Sequence, residues 1–162
     1  MNKINVALIG AGGMANGVHY PSLAEFDDVT LVGLCDLVPS KLQATAERFQ
    51  IENTFSDYRQ MLEKTSPNAV YILMPPQNLF MPVIHCLSQG HHVFIEKPPG
   101  LTLHQVKEMA RVAAQNACKT MVGFNRRFIP LMRQVKAIVE KKGPIIQCMS
   151  TFHKNSPSAL YY

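Results

Sequence analysis

An almost unbroken apolar run, Ile4 to Ile9, passes without a spacer into Gly10-Ala11-Gly12-Gly13-Met14-Ala15. So short and continuous an apolar stretch, Lys3 to Ile9 at its widest, reads as a strand buried on both faces, the type found in parallel sheets. The glycines then turn the chain, and a helical pattern follows to about Glu25. A strand buried on both faces needs helices above and below it, so this one junction restricts the chain to the α/β class.

The rest of the sequence repeats the alternation. Val29 to Cys35 is a second strand and ends at Asp36. Pro39 stands where a first-turn proline belongs, and Ser40 to Phe49 carries helical spacing through Leu42, Ala46 and Phe49. Ser56 reads as the N-cap of a short helix, Asp57 to Glu63, closed by Ser66-Pro67. Ala69 to Met74 is a further strand, stopped by Pro75-Pro76. A helix from Pro82 to Ser88 ends at Gly90, and His92 to Ile95 is a short strand. Thr102 caps a long helix reaching about Asn116, and Lys119 to Phe124 gives one more strand. Strands separated by helices predict βαβ units, hence a Rossmann-type doubly wound parallel sheet over residues 1–124.

From Asn125 the pattern changes. A helix runs from about Leu131 to Lys141 and stops at Gly143-Pro144, and Ile145 to His153 reads as one long strand. One helix and one strand cannot build a core, so residues 125–162 read as the opening of a second, α+β domain. The apolar strand from Ile145 to Phe152 has no partner within the chain and its edges invite pairing, so a homo-oligomer is expected.

The first turn carries chemistry. Gly10-Ala11-Gly12-Gly13-Met14-Ala15 fits G-x-G-x-x-A after a strand and at a helix start: Gly10 permits the tight turn, Gly12 allows the backbone to approach a pyrophosphate, and Ala15 lets helix pack on strand. The helix start offers free N–H groups and a positive dipole end to the anion, with Gly13 and Met14 beside it. Asp36 follows Ala15 by roughly 20 residues, where a ribose-binding acid is expected. Two ribose hydroxyls donating to one carboxylate favour NAD, with NADP left open because Lys41 is close in sequence. S-adenosylmethionine-dependent methyltransferases use a similar turn and acid.

Composition narrows the partners. Of 162 residues, 47% are hydrophobic and 17% charged, the profile of one globular domain. The net charge of +5 is dispersed, with Arg126-Arg127 and Lys141-Lys142 the densest clusters, so no basic stripe suggests nucleic acid. No run is long enough to span a membrane, and the N-terminus has no secretory pattern. Cys35, Cys86, Cys118 and Cys148 are scattered without a CxxC pair, which suggests buried thiols in a reducing cytoplasm. His91 and His92 point to opposite faces of a strand, and His19, His85, His104 and His153 have no carboxylate or thiol at ligand spacing, so no metal site is expected. His19, near the middle of the first helix, reads as a packing or capping residue.

Glu96-Lys97-Pro98 follows the strand His92 to Ile95, and ligands in doubly wound sheets lie at such strand ends. A lysine there can orient or deprotonate a substrate hydroxyl; the alternative is a solvated lysine paired with Glu96. At this point the sequence resembles the Gfo/Idh/MocA oxidoreductases. Four segments in order carry the resemblance: Gly10 to Ala15, Val32-Gly33-Leu34-Cys35-Asp36, Gly90 to Pro98, and Val122-Gly123-Phe124-Asn125-Arg126-Arg127-Phe128. The Glu-Lys-Pro triplet is the most specific, and together the segments displace the methyltransferase reading.

The resemblance implies NAD(P) binding, with Lys97 as active-site lysine and Pro98, through a cis bond, shaping the cofactor edge. Pro75 matches a cofactor-bordering proline and Arg127 an arginine near the domain junction. Met74 and Leu79 stand where relatives often carry Thr and His. Family enzymes continue into a mostly antiparallel second domain holding a catalytic Asp and His, so the chain is expected to be a truncated, inactive half of a dehydrogenase of sugars, cyclitols or related polyols. The alternative is a non-catalytic dinucleotide-binding sensor or regulatory module.

Overall fold

The computed structural model describes residues 3–151 and 153, and divides the chain into two compact units, residues 1–124 and 125–162. The first unit holds a six-stranded sheet in the order β3-β2-β1-β4-β5-β6, parallel at every pairing. Its strands are β1 (Ile4–Ile9), β2 (Val29–Cys35), β3 (Thr54–Phe55), β4 (Ala69–Ile72), β5 (His92–Ile95) and β6 (Thr120–Val122). The direction of winding reverses between β1 and β4, and the crevice outside such a reversal is where a ligand lies in open α/β sheets.

The period of two along the strands sorts the core into two layers. Ala7, Ile9, Cys35, Val70, Ile72, Val93 and Ile95 face one side, under α3 (Tyr58–Thr65), α4 (Pro76–Ser88) and α5 (Leu103–Gln115). Val6, Leu8 and Leu34 face the other, under α1 (Tyr20–Ala24) and α2 (Pro39–Phe49), with Ala15, Tyr20, Leu23 and Ala46 buried against them. Each face of the central strands is thus apolar for its own reason, and this explains the near-continuous run in β1.

Several boundaries differ from the sequence-based expectations. The cap of α3 is Asp57, not Ser56: its carboxylate accepts the Arg59 N–H at 2.9 Å, and a negative charge there also suits the helix dipole. α4 begins at Pro76 rather than Pro82, because Pro76 occupies a first-turn position that needs no N–H. Pro82 sits inside that helix and is buried, the lost backbone bond offset by packing. β4 ends at Ile72, although the Leu73 N–H still bonds Ile9 O at 2.8 Å. β3, two residues long, is too short to leave a periodic signal.

Among its described residues the second unit contains a 3-10 turn, Asn125–Phe128, and α6 (Pro130–Glu140). The expected strand Ile145 to His153 is not formed over residues 145–151 or at His153, and Phe152 lies outside the described residues. Ile146 and Met149 are almost fully exposed, so the apolar pattern there has no ladder to join. Cys35 and Cys86 are buried, but Cys118 is half-buried and Cys148 exposed, so burial of all the thiols does not hold.

Candidate functional site

One row of paired residues sets the site. Cys35 pairs with Ile9, Ile9 with Ile72, Ile72 with Ile95, and Ile95 with Val122. Each is the last residue of its strand, so the next residues, Asp36, Gly10, Leu73, Glu96 and Gly123, emerge side by side along one edge of the sheet. Three of the sequence motifs, far apart in the chain, are therefore brought to one line by register alone.

Gly10 has φ +100°, and a Cβ there would stand 2.2 Å from the Leu73 carbonyl oxygen. Only glycine fits that close approach of β1 to the end of β4. Beyond it the chain enters a helical run over residues 13–24, in which the π-turn Ala15–His19 leads into α1. The Asn16 N–H is the first taken up, by Gly12 O at 3.0 Å, so the N–H groups ahead of it point out of the helix start. Gly12 and Gly13 face open space, with nothing within 4 Å of an added Cβ. Met14 is exposed beside them, while Ala15 is buried against the sheet.

The turn is tied from behind by residues the motif does not include. Asn16 Nδ2 donates to Ala11 O at 3.0 Å, to Gly12 O at 3.3 Å and to Thr45 Oγ1 at 3.0 Å. Thr45 is a buried polar residue of α2. Its position in the stripe Leu42, Thr45, Ala46, Phe49 is a signal the sequence does carry, since a polar side chain in an apolar face asks for a partner. The Tyr20 hydroxyl donates to Gly10 O, and burial, with Asp36 nearby, pushes its ionisation far above the ordinary phenol range. It therefore remains a donor throughout neutral pH.

Asp36 is half-buried at the end of β2. Its Oδ2 accepts the Ala11 N–H at 2.6 Å and its Oδ1 the Val38 N–H at 2.8 Å. Each oxygen retains a lone pair, so the carboxylate is held in place yet can still accept from a ligand. Pro75 caps α4 and is exposed at the same sheet edge as Leu73. Met74 and Leu79 turn inward and pack in the core below, which leaves no polar group at those positions.

At the far end of the row, Glu96 Oε2 accepts the Lys97 N–H at 3.1 Å, and Lys97-Pro98 is a cis peptide. Lys97 is exposed, and among the described residues its ammonium forms no salt bridge with Glu96. Glu96 pairs instead with His19, Nε2 to Oε1 at 2.7 Å. Sequence spacing left His19 without a carboxylate; the fold supplies one from 77 residues away. Arg127 is exposed on the short turn of the second unit and is not among the residues the sheet brings together. No cluster of three metal-ligating side chains occurs among the described residues.

Residues 4–124 match the family described as oxidoreductase family, NAD-binding Rossmann fold (Gfo/Idh/MocA). The chain belongs to the Gfo/Idh/MocA oxidoreductases. D-glucoside 3-dehydrogenase of Escherichia coli K12 is 33% identical over 127 residues, 78% of this chain and 36% of that protein. Myo-inositol 2-dehydrogenase of Thermotoga maritima is 28% identical over 137 residues, 85% of this chain and 41% of that protein. Scyllo-inositol dehydrogenase from Lactobacillus casei, solved with bound NAD(H) and scyllo-inositol, superposes with a TM-score of 0.80 at 28% identity, over 86% of this chain and 42% of that one. The chain spans about two-fifths of the length of the curated relatives it matches. No helix among its described residues is long and apolar enough to cross a membrane.

Proposed function

We propose that this chain supplies the dinucleotide-binding part of an NAD-dependent dehydrogenase acting on a carbinol carbon of a sugar, cyclitol or related polyol. The observation that carries the reading is the row of strand ends, which sets Asp36, the glycine turn and the Glu96-Lys97 segment along one crevice. The residues fit the group: Gly12 and Gly13 leave open space before N–H groups aimed outward, and the Asp36 carboxylate is held with lone pairs to spare. The substrate class follows the relatives, which are named as dehydrogenases of glucosides and inositols.

When bound, the nicotinamide supplies hydride acceptance and return. The protein's part is placement. Gly12, Gly13, Met14 and Ala15 would hold the pyrophosphate at the helix start, and Asp36 would accept two bonds from the adenosine ribose. That second contact favours NAD, because a 2′-phosphate would meet a carboxylate. Pro75 and Pro98 would line the cofactor edges, and Arg127 would lie near the domain junction. Lys97, which forms no salt bridge with Glu96 among the described residues, would orient the substrate hydroxyl as an ammonium or, as the neutral amine, take up its proton. A reducing cytoplasm suits the unpaired cysteines.

Titration with NADH and NADPH, followed by nicotinamide fluorescence, tests the reading. Saturable binding that prefers NADH and weakens about tenfold or more in Asp36→Ala is expected, the loss of hydrogen bonds to a charged group. Binding of neither nucleotide by the wild-type chain would refute it.

A further inference from the structure

One polar contact joins the first helical run to the segment after β5 and belongs to the ladder of neither. The His19 and Glu96 side chains are only 14% and 22% exposed, and Nε2 and Oε1 meet at 2.7 Å. Neither group is free to drift. The imidazole packs on Phe94, with ring centroids 5.1 Å apart, and on the edge of Tyr71 at 6.2 Å. Phe94 and Tyr71 are cross-strand partners that stack on each other at 4.5 Å, so the surface under the ring is itself rigid. From the other side Gly123 closes on the carboxylate: a Cβ there would stand 2.7 Å from Glu96 Oε1. The second oxygen, Oε2, holds the Lys97 N–H.

We propose that His19 is a positioning residue for Lys97. Its imidazole fixes one oxygen of Glu96, and the other oxygen fixes the backbone at Lys97, while the lysine ammonium stays available. An imidazole protonated on Nε2 donates to the carboxylate, a charge-assisted bond of the stronger kind. His19 also closes the π-turn that begins at Ala15, so the helical run that starts at the glycine turn is tied directly to the lysine segment. A π-turn within a helix often marks a functional site, and here it delivers the ring to Glu96. The phosphate end and the lysine end of the crevice thus move as one piece. Gly123 has a stated purpose in this arrangement, since any side chain there would push Glu96 off His19. This inference rests on the reading of the crevice as a dinucleotide site.

The test uses the whole chain with His19→Ala, His19→Gln and Gly123→Ala. Amide exchange at Lys97, read by NMR, is expected to rise about tenfold in His19→Ala, since bonds to charged groups are worth that much. His19→Gln restores a donor at nearly the same place and is expected to return the rate towards wild type. Gly123→Ala leaves the imidazole intact but displaces Glu96, and is expected to mimic His19→Ala. In parallel, NADH binding is expected to weaken several-fold in His19→Ala and Gly123→Ala, while ADP-ribose, which lacks the nicotinamide, binds as before. A merely structural role would weaken both nucleotides alike and would speed exchange at Leu8 and Ile72 as well. Unchanged Lys97 exchange in His19→Ala would overturn the proposal. If Lys97 exchange responds in the variants but the wild-type chain binds no NADH, the tether stands and the cofactor reading falls.

Discussion

α5 and α6 are nearly the same helix in sequence terms and opposite in structure. Both are amphipathic, of 13 and 11 residues, with apolar residues at helical spacing. α5 buries Met109, Val112 and Ala113 against the sheet, and Thr102 caps it by accepting the Gln105 N–H at 3.2 Å. α6 buries none of its residues and has no side-chain cap; Leu131, Val135 and Ile138 stand exposed along one stripe. The difference teaches that an amphipathic pattern states a requirement for a partner and does not provide one. Most of a helix's stability comes from packing that face, and an isolated helix of this length is marginal in water. The same holds for the apolar strand patterns: Ile4 to Ile9 has two neighbours in the sheet, while residues 145–151 have none.

The comparison breaks first, and most visibly, on hydrogen exchange. Amides of β1 and β4 are expected to exchange only by global or near-global opening, orders of magnitude slower than those of α6, which frays locally. Protection of α6 equal to that of β1 would show that its face is covered. Side-chain truncation should follow the same division. Leu8→Ala, at a fully buried position of β1, is expected to cost about 2–5 kcal/mol in urea unfolding. Ile138→Ala on the exposed face of α6 is expected to stay within about 0.5 kcal/mol. Equal losses would erase the distinction between the two regions.

Alkaline pH draws the contrast among the cysteines. Burial first, then the nearby Asp57 and Asp36, pushes the Cys35 thiol up to about 11, and burial pushes Cys86 up to about 12. Unfolded thiols ionise near pH 9.0. Between that value and the folded ones, the unfolded chain has released protons that the folded chain keeps. Stability is therefore full below pH 9 and falls as pH rises, by up to about 1.4 kcal/mol per pH unit for each such thiol. Cys86→Ala is expected to flatten that fall, and Cys148→Ala, at an exposed position, to leave it unchanged. A fall that flattened in Cys148→Ala would contradict the burial assignment.

How far the site could be read depended on whether its residues signal locally. The glycine turn did, because strand, turn and helix start are consecutive and each constrains the next. Asp36 and the Glu96-Lys97-Pro98 triplet did, because each directly follows an apolar strand. The His19–Glu96 contact did not, since no spacing rule joins residues 77 apart. Thr45 and Tyr20 gave half a signal, a polar group on an apolar face, without saying what it meets. Ser56 misled because it is a good cap type one residue before a better one, and a charged carboxylate with a well-placed N–H decides such a contest.

By itself the sequence determined the class of fold, the parallel sheet, and which short segments sit at strand ends, because periodicity, turn residues and capping all act within a few residues of one another. Only the tertiary structure decided the strand register, the packing of Met74 and Leu79 into or against the core, the bracing of the glycine turn by Asn16, Thr45 and Tyr20, and the tether from His19 to Glu96. It also decided that the apolar stripe of α6 and the run from Ile145 to Met149 go uncovered among the described residues. The physical reason is the same throughout: local patterns fix what a segment can bury, and long-range packing alone fixes what it meets.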